Sequence, residues 1–136
     1  MFKGGDAKRG AKGGANSSTK SVGDEAEARA LQHLLGHGLA LEWRNYRLAG
    51  GPRQRGAEID LILRERDGTL VFVEVRARRS SAHGGAAATV SVQKQQRIAR
   101  AAAHYLMRLA VPPPCRFDVV AIDGDELVWL RGAFET

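Results

Sequence analysis

Residues 57–78, AEIDLILRERDGTLVFVEVRAR, leave this chain few choices of fold. Two runs rich in Ile, Leu, Val and Phe flank Arg66-Asp67-Gly68, the composition of two β-strands closed by a turn in which Gly68 supplies a positive φ. Each strand places an acid where a core residue is expected, Asp60 in the first and Glu74 in the second. A turn centred on Asp67 sets Asp60 opposite Glu74 on one face, with Cβ atoms about 4.5–5.5 Å apart, where like charges repel. A two-residue turn would slip the register by one and send the acids to opposite faces. Two opposed carboxylates in an apolar hairpin need a cation or a proton between them.

The rest of the 136 residues builds around this hairpin. EAEARALQHLLGHG (25–38) has helical spacing, with Ala30, Leu31 and Leu34 on one face and Gly36 and Gly38 as stop signals. Residues 39–48 alternate as a strand, AGGPRQRG is a turn region, and the hairpin strands span about 57–65 and 69–78. A Gly/Ala-rich loop, SSAHGGAAA, leads to a helix over about 90–110 that stops at Pro112-Pro113-Pro114. CRFDVVAI and ELVWL are two short strands around Asp123-Gly124-Asp125. The order α-β-β-β-α-β-β predicts a single α/β domain with a mixed sheet flanked by helices.

Charge and composition narrow the function. One cysteine, Cys115, excludes an internal disulfide and fits a reducing cytoplasm. The first residues hold no apolar run, so neither a secretory signal nor a membrane span is expected. Residues 1–22 carry Lys3, Lys8, Arg9, Lys12 and Lys20 against Asp6, which is most of the net +6. A Gly/Ala/Ser/Lys stretch of this kind, residues 1–21, reads as a disordered basic tail ahead of a domain at 22–136. It suits either phosphate contacts or mere solubility.

Two further side chains break the core pattern. On the first helix Glu27 falls on the stripe of Ala30, Leu31 and Leu34; on the second, Lys94 falls on the stripe of Ile98, Ala101 and Tyr105. Either each snorkels to water from a first turn, or Glu27, Asp60, Glu74 and Lys94 converge on one site. Oxygen-only ligands suit Mg²⁺ or Mn²⁺ better than Zn²⁺. Held by Glu27, Asp60 and Glu74, such an ion fits phosphodiester hydrolysis, with a fixed cation serving the phosphate and the water.

Asp60 followed by Glu74-Val75-Arg76 resembles the D…(D/E)-X-K motif of the PD-(D/E)XK nuclease superfamily. More closely, GDEAEARALQHLLGHG, WRNYR, AEIDLI, VFVEVRARR, HGGAAATVSVQKQQRI and CRFDVVAI resemble the YraN-type family of bacterial proteins over roughly residues 23–134. The resemblance implies a restriction-endonuclease-like α-β-β-β-α-β core, nucleic acid (DNA first) as partner, and Glu27, Asp60 and Glu74 as metal ligands. It also allows a homodimer, as in resolvase-like members. The motif lysine is replaced by Arg76, which stays protonated and so clamps phosphate without acting as a base. Lys94 is the candidate for the missing role.

Arg44, Arg47, Arg53, Arg55, Arg78, Arg79 and Arg97 are candidates to grip a phosphate backbone, with Trp43 and Tyr46 as stacking surfaces. Solvated arginines and core aromatics are the plainer alternative. His33, His37, His83 and His104 lack ligand spacing, and no nucleophile elbow or P-loop is present. Two rivals to a nuclease follow: a binding module with a degenerate site, and a protein-interaction adaptor.

Overall fold

The hairpin forms in the register its turn dictates. In a computed structural model that describes residues 17–78 and 90–136, Leu61 faces Val73, Ile62 faces Phe72 and Arg64 faces Leu70. The Gly68 N–H donates to the Glu65 carbonyl at 2.9 Å, and Gly68 takes φ +97°. The register centred on Asp67 therefore holds, and the slipped alternative does not.

Seven elements follow in chain order: α1 (Ser17–Gly36), β1 (Ala40–Leu48), β2 (Ala57–Arg64), β3 (Leu70–Arg78), α2 (Val92–Leu106), β4 (Cys115–Asp123) and β5 (Glu126–Phe134). The sheet order is β1-β2-β3-β4-β5, antiparallel except for the parallel β3–β4 pair. This is the α/β class with the mixed sheet expected. Leu61, Leu63, Val71 and Val73 pack with Ala26, Ala30 and Leu34 of α1. Ile62, Leu70 and Phe72 pack with Ile98, Ala101 and Tyr105 of α2. Because alternate strand residues face opposite ways, the two helices cover opposite faces of the hairpin.

Boundaries differ from expectation in three places. Helix α1 begins at Ser17, inside the stretch read as a loose tail; Gly23 does not stop it, since a helical glycine costs only about 0.5–1 kcal/mol. Residues 1–16 lie outside the described residues, as do residues 79–89 with the Gly/Ala-rich loop and His83. Helix α2 is shorter than the predicted 90–110, because the Ser91 hydroxyl caps it by accepting from the Lys94 N–H at 3.1 Å. Strand β5 runs on to Phe134, past the ELVWL stretch.

That longer β5 depends on a buried acid. Asp118 is 0% exposed, and its carboxylate accepts from Arg116 Nε, Trp129 Nε1 and the Gly132 N–H at 3.0, 2.9 and 2.9 Å. The β4–β5 ladder is irregular between Phe117 and Val119, and Gly132 takes φ +61° there. Asp118 thus takes up an N–H that the bulge leaves without a strand partner. Asp118→Ala is expected to cost about 1–3 kcal/mol in urea unfolding, since it leaves the Gly132 N–H and the half-buried Trp129 indole without their acceptor.

Candidate functional site

The site forms where two strands part. The β2–β3 ladder runs from Arg64/Leu70 to Leu61/Val73 and pairs no further. Beyond that point β2 continues with β1 through Tyr46/Ile59 and Leu48/Ala57, while β3 continues with β4 through Glu74/Val119 and Arg78/Asp123. Asp60 and Glu74 stand at the first unpaired step. Asp60 Oδ2 accepts the Val75 N–H at 2.8 Å, so the carboxylate lies in the gap between the strands.

Local backbone geometry explains that aim. Ala57 and Ile59 belong to the α2 core, yet Leu61 and Leu63 belong to the α1 core. Strict alternation would put all four on one face. Strand β1 changes face in step: Trp43 meets the Tyr105 ring of α2 and Tyr46 lies in the α2 core, although residues three apart should face opposite ways. The change falls between the pairs Arg44/Leu61 and Tyr46/Ile59, where Asn45 and Asp60 make no pair. Asn45 has φ +54°, the sole non-glycine residue with positive φ among the described residues. Asp60 therefore sits at the crossover between faces and points sideways, rather than squarely onto one face beside Glu74.

The charges around the gap are concentrated and partly compensated. Glu74 is 7% exposed, and Lys94 Nζ stands 3.4 Å from its Oε2. Lys94 thus reaches inward from the first turns of α2, as its place on the apolar stripe implies. Burial drives the Asp60 carboxyl up to about 8, with Glu74, Glu27 and Glu58 pushing the same way and the Val75 N–H opposing them. The Glu27 carboxyl is also raised, first by burial; Arg44 and the hydrogen-bonding Asn45 side chain pull it back. Arg44 Nη2 lies 3.8 Å from Glu27 Oε1. Arg76 stands two residues after Glu74 on the same face of β3.

Three acids and one lysine therefore share one electrostatic neighbourhood. Among the described residues no three His, Cys, Asp or Glu side chains are drawn together tightly enough to hold a metal ion as they stand. Asp60 and Glu74 match a hard divalent ion in donor type. Glu27 matches in donor type, but its carboxylate is turned to Arg44. Lys94 supplies the positive charge beside Glu74 that an ion would bring.

The arginines divide. Arg53, Arg55 and Arg97 line one cleft of about 420 Å³ together with Arg100, Gln54, Gln93 and Gln96, and no carboxylate lines it. Arg100 Nη2 donates to the Arg55 carbonyl, tying the β1–β2 loop to α2. A Gly51–Gln54 bridge closes that loop, and Gly50 and Gly56 have backbone atoms where a Cβ would stand, at 2.7 and 2.9 Å. Arg44 and Arg47 lie outside this cleft and pair with Glu27 and Glu58. The Arg78 side chain and Arg79 lie outside the described residues.

The aromatics are mostly structural. Tyr46 is 5% exposed and shares a 2.6 Å hydrogen bond with His104; Trp43 is 37% exposed with the Arg108 guanidinium 4.7 Å over its ring. Arg100 and Asn45 were not foreseen. Helical spacing puts Arg100 on the solvent side of α2 and gives it no distinguishing signal. Asn45 carried one usable signal, an amide residue inside a strand, where asparagine is depleted and left-handed backbone is the common reason.

A mixed sheet with a helix on each face and a carboxylate pair in a parted hairpin defines an α/β domain consistent with a restriction-endonuclease-like core. The chain belongs to the uncharacterised protein family UPF0102, whose pattern matches residues 26–122. It is similar to UPF0102 protein Mpe_A3766 of Methylibium petroleiphilum, with 70% identity over 87% of this chain and 97% of the relative. UPF0102 proteins of Acidovorax sp. and Albidiferax ferrireducens are 61% and 58% identical over 87% of this chain, covering 87% and 90% of their own lengths. No helix among the described residues is long and apolar enough to cross a membrane.

The raised Asp60 carboxyl makes stability depend on pH with a definite sign. Between about pH 4 and pH 8 the folded protein keeps a proton on Asp60 that the unfolded chain has lost. Metal-free stability should therefore fall as pH rises through that window. Chemical denaturation from pH 4.5 to 8.5 is expected to show the decline in the wild type, and Asp60→Asn should flatten it and be the more stable protein at pH 8.

Proposed function

We propose that this protein binds nucleic acid and hydrolyses phosphodiester bonds with Mg²⁺ or Mn²⁺, as a nuclease of the PD-(D/E)XK type. The observation that carries this reading is the pair of half-buried Asp60 and buried Glu74 in the parted hairpin, faced by Lys94. Carboxylates buried together raise each other's proton affinity, and a core without a task would hold apolar residues there. Asp60 and Glu74 would hold the ion, with Glu27 joining by leaving Arg44. Bound there, the ion would supply an acidic water and stabilise charge on the phosphate. Lys94, released from Glu74, would orient the attacking water. Arg76 stays protonated and would neutralise the nonbridging oxygens.

The cleft beside α2 supports the substrate side of the proposal. Four guanidinium groups and three glutamine amides without a carboxylate form a surface for a phosphate backbone. Its position on the helix that carries Lys94 would lead a bound strand toward Glu74. DNA is the first substrate to test, in the cytoplasm, with the protein as monomer or homodimer.

A second reading rests on Arg76 standing where the motif has lysine. On that reading the domain binds nucleic acid without cutting it. Cleavage assays over duplex, single-stranded and branched DNA and RNA with each metal separate the two. The nuclease reading expects Glu74→Gln to lower cleavage at least about 100-fold and Lys94→Ala to cost more than Arg76→Lys. Silence of the wild type on every substrate, with binding intact, supports the second reading; activity surviving Glu74→Gln contradicts the site. Arg97→Ala with Arg100→Ala should weaken binding on all sequences and reduce the salt slope by about 1 to 2.

A further inference from the structure

The parted hairpin explains where Asp60 stands but not what turns it there. A β-strand keeps its faces unless something rotates the backbone. Strands β1 and β2 exchange faces together, and the exchange is centred on one missing pair, Asn45 opposite Asp60. At that position Asn45 holds φ +54°. A non-glycine residue in this region costs about 1–2 kcal/mol, least for asparagine. Strain of this kind inside a strand persists only where its surroundings enforce it, and it gathers at functional sites.

The two residues beside this one are committed elsewhere. Arg44 pairs with Glu27, and the Tyr46 ring is buried in the α2 core with its hydroxyl on His104. The Asn45 amide lies near enough to the Glu27 carboxylate to favour its charged form. One residue thus neighbours the acid contributed by α1 and lies in register with the acid contributed by β2. Glu74, the third acid, comes from the other side of the gap.

We infer that Asn45 is a positioning residue, whose left-handed backbone turns Asp60 into the gap between β2 and β3 and whose amide holds Glu27 beside it. The inference rests on the metal-binding reading of these acids and adds a residue that touches neither the ion nor the substrate. It belongs to the outer layer of such a site, where partners that orient ligands typically govern affinity about 10–100-fold.

Two substitutions separate backbone from amide. Asn45→Gly keeps the left-handed backbone at no steric cost and removes the amide. Asn45→Ala removes the amide and disfavours the backbone. The readout is the dissociation constant of Mn²⁺ alone, measured by calorimetry on the full chain well below each protein's melting temperature. Asn45→Gly should melt at or above the wild-type temperature and yet bind Mn²⁺ about 10-fold more weakly, and Asn45→Ala should bind more weakly still. Wild-type Mn²⁺ affinity in both variants would overturn the inference, leaving Asn45 a role in stability only. Wild-type affinity in Glu27→Gln would overturn the amide's part while the Asp60–Glu74 site stands. A wild type that binds no Mn²⁺ would overturn the metal reading and the inference with it.

Discussion

The end of the β2–β3 ladder at Leu61/Val73 governs everything else in this molecule. Had the ladder continued, the Asp60 and Glu74 carboxylates would stand side by side on one covered face, repelling each other with no route to compensation. Parting the strands gives Asp60 a backbone donor at Val75 and opens a gap that α2 overlooks through Lys94. Each strand keeps its backbone bonds by continuing with its outer neighbour, β1 or β4. The inner edges give up their ladder bonds beyond Leu61/Val73 and recover one at the Val75 N–H through Asp60.

Charge follows from that geometry. Burial and the neighbouring acids push Asp60 upward, while Glu74 keeps a lysine and Glu27 keeps an arginine. Every acid at the gap is thus either protonated or paired in the absence of an ion, as buried carboxylates require. The positive groups are also the ones a phosphate would meet. Lys94 projects inward from the helix whose outer side lines the arginine cleft. Acids inside and guanidiniums alongside support the proposed metal-assisted work on a polyanion.

Much of this was legible from residue types alone. Gly68 and the length of the Arg66–Gly68 turn determine the hairpin register, because a one-residue slip would trade the side chains that face α1 for those that face α2. Lys94 on an apolar stripe left two readings open, snorkelling to water or turned inward, and its ion pair with Glu74 decides for the second. Glu27 was readable as near the site, though not that Arg44 would hold it. The face exchange at Asn45 was not legible: it is a single φ angle, and alternation in the sequence gives no warning of a half-turn in both strands at once. Arg53, Arg55 and Arg97 were legible as candidates, but their meeting in one cleft with Arg100 was not. The cleft joins a loop to a helix 45 residues away, through a bond from Arg100 to the Arg55 carbonyl. Tyr46, offered as a stacking surface, proved to be core, because an aromatic in a half-buried strand reads the same either way.

The central claim is that the gap between β2 and β3 is a divalent-ion site, and anomalous diffraction from a crystal soaked in Mn²⁺ tests it most directly. The account expects a manganese peak between the carboxylates of Asp60 and Glu74, with Lys94 Nζ moved off Glu74. A crystal with manganese bound elsewhere, or none bound, and the Lys94–Glu74 pair intact would contradict it.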